Sequence, residues 1–355
     1  MADPSSPQSI DALRAEIDTL LHQLPEMAHG QLIQNALTTL VRMAEVEADR
    51  LDWKILNASL QDMERAFRVF YPYRHTRKIA IFGSARMSPT TDAYQMAAAF
   101  AHRVTQLGFM VMTGGGGGIM QAGNEGATPA KSFGLNIQLP FEQTSNPFIE
   151  SDPKLINFKY FFTRKLFFLR ETDAIALFPG GFGTQDEAFE CLTLMQTGKS
   201  PLVPVVLLDE PGRGYWKSWD AHVRDHLLDS HLISPDDLSL YTITDDIDVA
   251  CEAITNFYRV YHSSRYVGDR LVIRLKSELS DEAIEELNSD FSDILLKGRI
   301  EKSGEVVPEL DPDLEGLPRL VMHFNQRDLG RLARFIRAIN RMGTSTPFEP
   351  RPEQK

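Results

Sequence analysis

Three places in this chain pass from an apolar, strand-like run directly into glycine or other small residues, and that pattern restricts the fold most. Lys78-Ile79-Ala80-Ile81-Phe82 leads into Gly83-Ser84-Ala85-Arg86. Phe109-Met110-Val111-Met112 leads into Thr113 and the glycines Gly114 to Gly118, ahead of a helical pattern from Ile119 to Ala127. Ala174 to Phe178 leads into Pro179-Gly180-Gly181-Phe182-Gly183-Thr184, with a helical pattern from Asp186 to Gln196. Small residues at a strand-to-helix turn let backbone N–H groups approach an anion closely. The next helix adds unpaired donors and the positive end of its dipole. Three such junctions in consistent register predict an α/β fold, a Rossmann-like doubly wound parallel sheet with its ligand at the strands' carboxyl ends.

The third junction also carries chemistry. Thr184 is placed to cap the helix and to bond a phosphate oxygen. Glu187 then falls in the first helical turn, about 4–5 Å along the axis from a bound anion at ~1.5 Å rise per residue. One loop can therefore hold a phosphate and aim a carboxylate at whatever is attached to it. Upstream, Arg164 and Lys165 open a helical run to Arg170. Adjacent helical residues point about 100° apart, so only one cation can face a ligand squarely while the other pairs or approaches from the side.

Composition narrows the partners. A chain of 355 residues can bury a full α/β core and still carry flanking domains. Its formal charge of −12 opposes nonspecific binding to nucleic acid, so a phosphate has to be held locally by loops and a few cations. Two cysteines, Cys191 and Cys251, are too few for a disulfide scaffold and point to a reducing compartment, with Cys191 expected as a small core residue. No signal-like N-terminus is visible, and no apolar run approaches the ~18 residues needed to span a bilayer. A soluble, cytoplasmic protein without a membrane partner is the expectation. The histidines show no metal-like spacing, so no metal is expected. No lysine is marked as a Schiff base for pyridoxal phosphate, and Gly83-Ser84-Ala85-Arg86 lacks the glycine spacing of a dinucleotide site.

Along the chain, residues 1–75 read as a disordered start followed by a helical extension. Helical spacing runs from Ile10 to Leu24 and from Gln31 to Phe70, and the extension is expected to pack on another subunit in preference to its own sheet. Residues 76–263 read as the doubly wound domain, with further strands at Phe133–Leu139, Ala174–Phe178 and Val203–Leu208. Residues 264–343 read as a small α+β module, with strands at Arg270–Leu275 and Pro318–His323 and helices at Asp281–Phe291 and Gln326–Met342. Residues 344–355 read as a flexible tail. Whether the module regulates, mediates assembly or covers a sheet edge is open at this level.

The segment from Ile79 to about Trp216 resembles the LOG ("Lonely Guy") family of nucleoside-monophosphate phosphoribohydrolases, often labelled lysine decarboxylases. The resemblance rests on Phe82-Gly83-Ser84-Ala85-Arg86, on Gly114–Gly118 with Ile119-Met120, on Thr163-Arg164-Lys165, and on Pro179 to Thr184 with Glu187. It covers about 140 of the 355 residues, and its Arg-Lys pair stands fifteen positions before Pro179. The longer bacterial branch is closer than the short plant enzymes. The resemblance implies Arg164 and Glu187 as catalytic residues. It implies substrate contacts from Gly83, Ser84, Gly115, Gly116, Gly117, Glu142, Lys165, Gly180, Gly181, Gly183, Thr184 and Thr193. Asp186 and Glu190 are expected as a cap contact and a surface group. Phe161-Phe162 stand where the family has Met-His, which bears on base contacts and not on the chemistry.

The function so implied is hydrolysis of the N-glycosidic bond of a nucleoside 5′-monophosphate, a purine or a cytokinin nucleotide, to free base and ribose 5-phosphate. No cofactor is needed, and the resemblance implies a homodimer or larger homo-oligomer. Two other readings of the same loops stand beside it: a non-catalytic carrier of a nucleotide or phosphorylated cofactor, and a DNA-processing protein, the latter opposed by the charge.

Overall fold

The computed structural model describes residues 29–46, 48–139, 144–303 and 314–343, together with positions 12, 15 and 19. Two units are distinguished, one ending at Gln61 and one beginning at Asp62. The helical pattern expected without a break from Gln31 to Phe70 divides into α1 (Gly30–Glu45) and α2 (Arg50–Phe70). The backbone turns extended at Val46, and Asp49 starts the second helix by accepting from the N–H groups of Leu51 and Asp52. The expected helix at 10–24, the disordered start and the tail at 344–355 lie outside the described residues or touch them only at isolated positions.

From Asp62 onward the chain builds a seven-stranded sheet. Its strands are β1 (Lys78–Phe82), β2 (Met110–Thr113), β3 (Ser132–Ile137), β4 (Leu155–Phe158), β5 (Ala174–Leu177), β6 (Val205–Leu208) and β7 (Tyr241–Thr244). All run parallel, in the order β4-β3-β2-β1-β5-β6-β7. The helices beside them are α3 (Asp92–Gln106), α4 (Ile119–Ala127), α5 (Phe161–Arg170), α6 (Phe182–Gln196), α7 (Tyr215–His222) and α8 (Ile247–Phe257). A parallel sheet covered on both faces needs strands that are apolar on both sides. Ile79 and Ile81 pack with Ala97, Phe100 and Ile254 on one face, whereas Ala80 joins Phe133 and Phe167 on the other. The strand order reverses between β1 and β5, and such a switch point opens a crevice beyond the strands' carboxyl ends.

Residues 62–70 of α2 belong to this unit and cover its sheet. Ala66 and Phe70 are buried, and Phe70 stacks on Phe133 with ring centroids 4.9 Å apart. This part of the extension therefore packs on its own sheet, contrary to the expected seat on another subunit. Ring stacking and the burial of Phe70 explain the preference.

The last segment forms a four-stranded antiparallel sheet of β8 (Tyr261–Val267), β9 (Arg270–Leu275), β10 (Leu295–Lys302) and β11 (Arg319–Phe324), ordered β10-β11-β9-β8. Helices α9 (Asp281–Asp290) and α10 (Leu329–Met342) accompany it. The sequence reading found only two of these strands. The polar Tyr-His-Ser-Ser-Arg-Tyr-Val run of β8 and the largely exposed β10, bent at Gly298 (φ +72°), lack the alternation that marks a half-buried strand. Among the described residues no helix is long and apolar enough to cross a membrane.

Phe70→Ala should cost about 3–5 kcal/mol, the usual loss for a buried phenylalanine. Urea unfolding measures it, and an unchanged midpoint would show that residues 62–70 do not hold the sheet.

Candidate active site

The loops after β1, β2 and β5 meet at the switch point. The Ser84 N–H donates to the Pro179 carbonyl at 3.1 Å, and the Ser84 carbonyl accepts from the Ile119 N–H at 3.0 Å. These bonds tie the three junctions around a cavity of about 830 Å3. Gly83, Ser84, Gly180, Gly181, Gly183, Thr184, Arg164 and Glu187 line it, so most of the expected site residues converge.

The helix behind the glycine loop starts earlier than its apolar pattern indicates. Helix α6 begins at Phe182, and its cap is Gly181, with no side-chain cap bond. Thr184 is therefore a first-turn residue and not the cap. Its N–H and that of Gln185 both reach the Gly181 carbonyl, at 3.0 and 3.1 Å. The uncapped opening turn lines the cavity, which suits an anion. Glu187 lies two residues further from the helix start than expected, in the second turn, about 7–8 Å along at ~1.5 Å per residue. Tyr215 braces the turn, its hydroxyl donating to the Gly180 carbonyl at 2.6 Å and accepting from the Gln185 amide at 2.6 Å.

The glycines of this loop have different physical reasons. A Cβ on Gly180 would overlap the Thr184 hydroxyl and lie 3.0 Å from the Ser84 nitrogen, so packing requires glycine there. Around Gly181 and Gly183 a Cβ would meet nothing within 4 Å, and neither has a positive φ. The fold makes no demand for glycine at these two cavity positions.

Glu187 is buried, at 8% exposure, and loss of water pushes its carboxyl up to about 7. Lys165 and Arg164 pull against that shift, while Asp186 and Glu190 add to it. Burial also pushes Arg164 below the usual arginine range, with the charge of Glu187 opposing. The two groups form no ion pair within 4 Å, although both face the cavity. Arg164 is held from behind, its Nε donating to the Leu135 carbonyl at 2.7 Å and its guanidinium lying 5.0 Å from the Phe168 ring. Its seat depends on Gly114, where a Cβ would come within 2.5 Å of the Arg164 Nη2.

Several expected contacts do not reach the cavity. Lys165 turns away and pairs with Asp186 at 2.7 Å and with Glu190, so both acids are Lys165 partners and not a cap and a free surface group. Of the second glycine run only Gly114 lines the cavity. The carbonyls of Gly115 and Gly116 are engaged by the buried Asn146 amide at 3.1 and 3.0 Å, and Gly117 packs by the Ala85 carbonyl. These three serve the loop's own shape. Thr193 is exposed and returns its hydroxyl to the Phe189 carbonyl of its own helix at 2.7 Å. Glu142 lies outside the described residues. The Cys191 thiol is buried and pushed up to about 12, as suits a core residue.

Sequence reasoning missed others. Arg86, exposed and without a salt bridge among the described residues, lines the cavity with Phe161 and Phe182, which is 96% exposed. Asp62, buried, accepts from the Lys159 N–H at 2.9 Å and the Thr163 hydroxyl at 2.9 Å, fixing the start of α5 beside Arg164. Arg86 and Phe182 stood within motifs; Asp62 gave no local signal.

A crevice at the switch point of a parallel sheet, lined by glycine turns and an uncapped helix start, defines a Rossmann-like α/β fold. Residues 112–254 match the family model described as possible lysine decarboxylase. The matched segment overlaps the one whose motifs resemble the LOG family. Among solved structures, the X-ray structure of TM1055 is 21% identical, with TM-score 0.36, over 50% of this chain and 98% of that one. The molybdenum cofactor binding protein from Rippkaea orientalis is 19% identical, with TM-score 0.36, over 50% of this chain and 95% of the other. The molybdenum cofactor carrier protein from Chlamydomonas reinhardtii is 20% identical, with TM-score 0.35, over 50% and 96%. At these scores the likenesses say nothing of substrate. No curated protein matches the chain.

Two substitutions separate packing from ligand approach. Gly180→Ala should destabilise the protein by about 1–3 kcal/mol, as overpacking does. Gly183→Ala should be neutral or stabilising by up to about 1 kcal/mol, because alanine suits a helix better. Thermal melts of both variants read the contrast, and equal losses would contradict the geometry.

Glu187 also predicts a pH effect. The native group keeps its proton to about 7, whereas an unfolded glutamate releases it near 4.5. Stability therefore falls as pH rises from 4.5 through 7, by up to ~3 kcal/mol in all. Glu187→Gln should remove most of that slope and be the more stable protein at pH 8; denaturant titrations at pH 5 and pH 8 measure it.

Proposed function

We propose that the cavity hydrolyses the N-glycosidic bond of nucleoside 5′-monophosphates, releasing free base and ribose 5-phosphate. The observation carrying this reading is Glu187: a buried carboxyl titrating near neutrality, unpaired, in the same cavity as the uncapped turn at Gly181–Thr184. The N–H groups of that turn, with Arg86, would take the 5′-phosphate. Met120, Ile137, Leu139 and Phe161 form an apolar side suited to a base. The ribose would then lie against Glu187.

Cleavage of the C1′–N bond leaves positive charge on the sugar, as in glycoside hydrolysis. An ionised Glu187 would stabilise that charge and accept a proton from the water that adds to C1′, while the departing base takes up a proton from solvent, to which Glu187 then returns its own. A carboxyl titrating near 7 suits this because it is basic enough to accept a proton and is still substantially ionised at neutral pH. Arg164 would steady the phosphate or the departing base and limit the rise in the Glu187 affinity for protons. Holding the nucleotide by its phosphate fixes the sugar, and positioning alone supplies several kcal/mol of the barrier. A carrier would gain nothing from a buried, unpaired carboxyl in its binding cavity, which costs stability.

Release of adenine from AMP, followed by chromatography, tests the reading. Glu187→Gln should lower turnover by at least about 10² while nucleotide still binds. In the wild type, kcat/KM should climb with pH through an apparent value of about 7. Lys165→Met removes a cation that holds the Glu187 affinity for protons down, so its rising limb should move to higher pH. AMP that binds and stays intact in the wild type would sink the hydrolase reading and leave a nucleotide carrier.

A further inference from the structure

A second cavity, of about 260 Å3, opens at the opposite ends of the strands. It lies between the amino ends of β6 and β7, the last turn of α8, and α10. Leu202, Leu240 and Phe257 give it an apolar wall, and Arg259, Arg337 and Arg341 line it with no carboxylate among the lining residues.

The arginines are not neutralised by the fold. On α10 the outward-facing Arg331 pairs with Asp293 at 3.1 Å and Arg334 with Asp236 at 2.5 Å. Arg259, Arg337 and Arg341 have no ion pair among the described residues. Arg337 donates one nitrogen to the Ser239 carbonyl at 2.6 Å, and Arg259 donates one to the Arg341 carbonyl at 3.1 Å. The Arg259 Nε is shielded from solvent and has no partner. Capping of nearby carbonyls thus uses a minority of the five donors each guanidinium carries. Burial, with Arg341 and Arg334 beside it, pushes Arg337 below the usual arginine range.

Charge arithmetic decides the sign and size of what would fit. Helices α8 and α10 both end here, and each contributes about −0.5 at its carboxyl end. Three guanidinium groups against two helix ends leave about +2. We infer that this cavity binds a small organic phosphate, its dianion on Arg259, Arg337 and Arg341 and a compact apolar or aromatic body against Leu202, Leu240 and Phe257. Planar guanidinium groups match phosphate oxygens in pairs, and the apolar wall separates such a ligand from inorganic phosphate.

Phenyl phosphate is the probe, titrated calorimetrically into the full chain, with inorganic phosphate and benzoate as the two half-ligands. Each half-ligand should bind at least about tenfold more weakly than the whole, since each forgoes either the apolar or the dianionic contact. The double variant Arg259→Gln/Arg337→Gln should lose at least about tenfold in affinity, while Gly183→Ala, at the other end of the strands, keeps the binding. Hydrogen exchange on the wild type gives a reading that does not depend on the variants folding: phenyl phosphate should slow amides at 239–242 and 337–341. Protection confined to 83–86 and 180–187, or full affinity in a folded double variant, would overturn the inference and assign all binding to the nucleotide cavity.

Discussion

The whole site depends on the two backbone bonds of one residue. Ser84 donates to Pro179 on one side and accepts from Ile119 on the other, so the loop after β1 fastens the loops after β5 and β2. These strands are neighbours in the sheet, roughly 4.8 Å apart, and their loops emerge within reach of each other whatever their sequence. What the sequence adds is closeness. Gly83 lies where a Cβ would come 2.7 Å from Ile119, and a Cβ on Gly118 would overlap the Ser84 carbonyl. Side chains at these positions would separate the loops and widen the crevice.

Electrostatics separates this site from a structural ion pair. A buried arginine and glutamate that served stability would close into contact, because the uncompensated charges are costly in the interior. Arg164 and Glu187 stay apart instead, each held by other partners or by its helix. Lys165 meanwhile is satisfied by Asp186 and Glu190, which keeps the nearest flexible cation from closing onto Glu187. The arrangement leaves the buried acid and the arginine unpaired with each other in the cavity that both line. Stability is forgone at Glu187, which is where perturbed groups in active sites are commonly found.

The sequence made the parallel sheet legible because its strands are short apolar runs punctuated by small residues, and three of those punctuations meet at one cavity. It placed Glu187, Arg164 and the glycines of the third loop correctly at one cavity. It misjudged Thr184 because capping rules look for a side chain before the apolar pattern starts, whereas α6 opens at Phe182 under a glycine cap. It overrated Gly115 to Gly117 for a related reason: a glycine run looks the same whether it serves a ligand or, as here, the amide of Asn146. Edge strand β4 alternates over only four residues, β7 has a single buried residue, and β8 is polar because much of it stays half exposed. Asp62 was invisible, since its partners lie about a hundred residues away.

The C-terminal sheet clarifies why the glycine loop can be exact without capping side chains of its own. Helix α6 presents its opening turn to the cavity, and its back face, Ala188, Cys191 and Met195, is buried in one apolar cluster with Phe324, Phe335 and Ile339 of β11 and α10. The module is thus continuous with the core that supports the catalytic candidate, and residues from Asp62 onward form a single unit. Gly330 reinforces the join, since a Cβ there would come 2.5 Å from the Asp236 backbone between α7 and β7. The loop at Gly180–Thr184 is braced at its turn by Tyr215 and from behind by this shared core. Gly181 and Gly183, unlike Gly180, are therefore not required by what holds the loop in place.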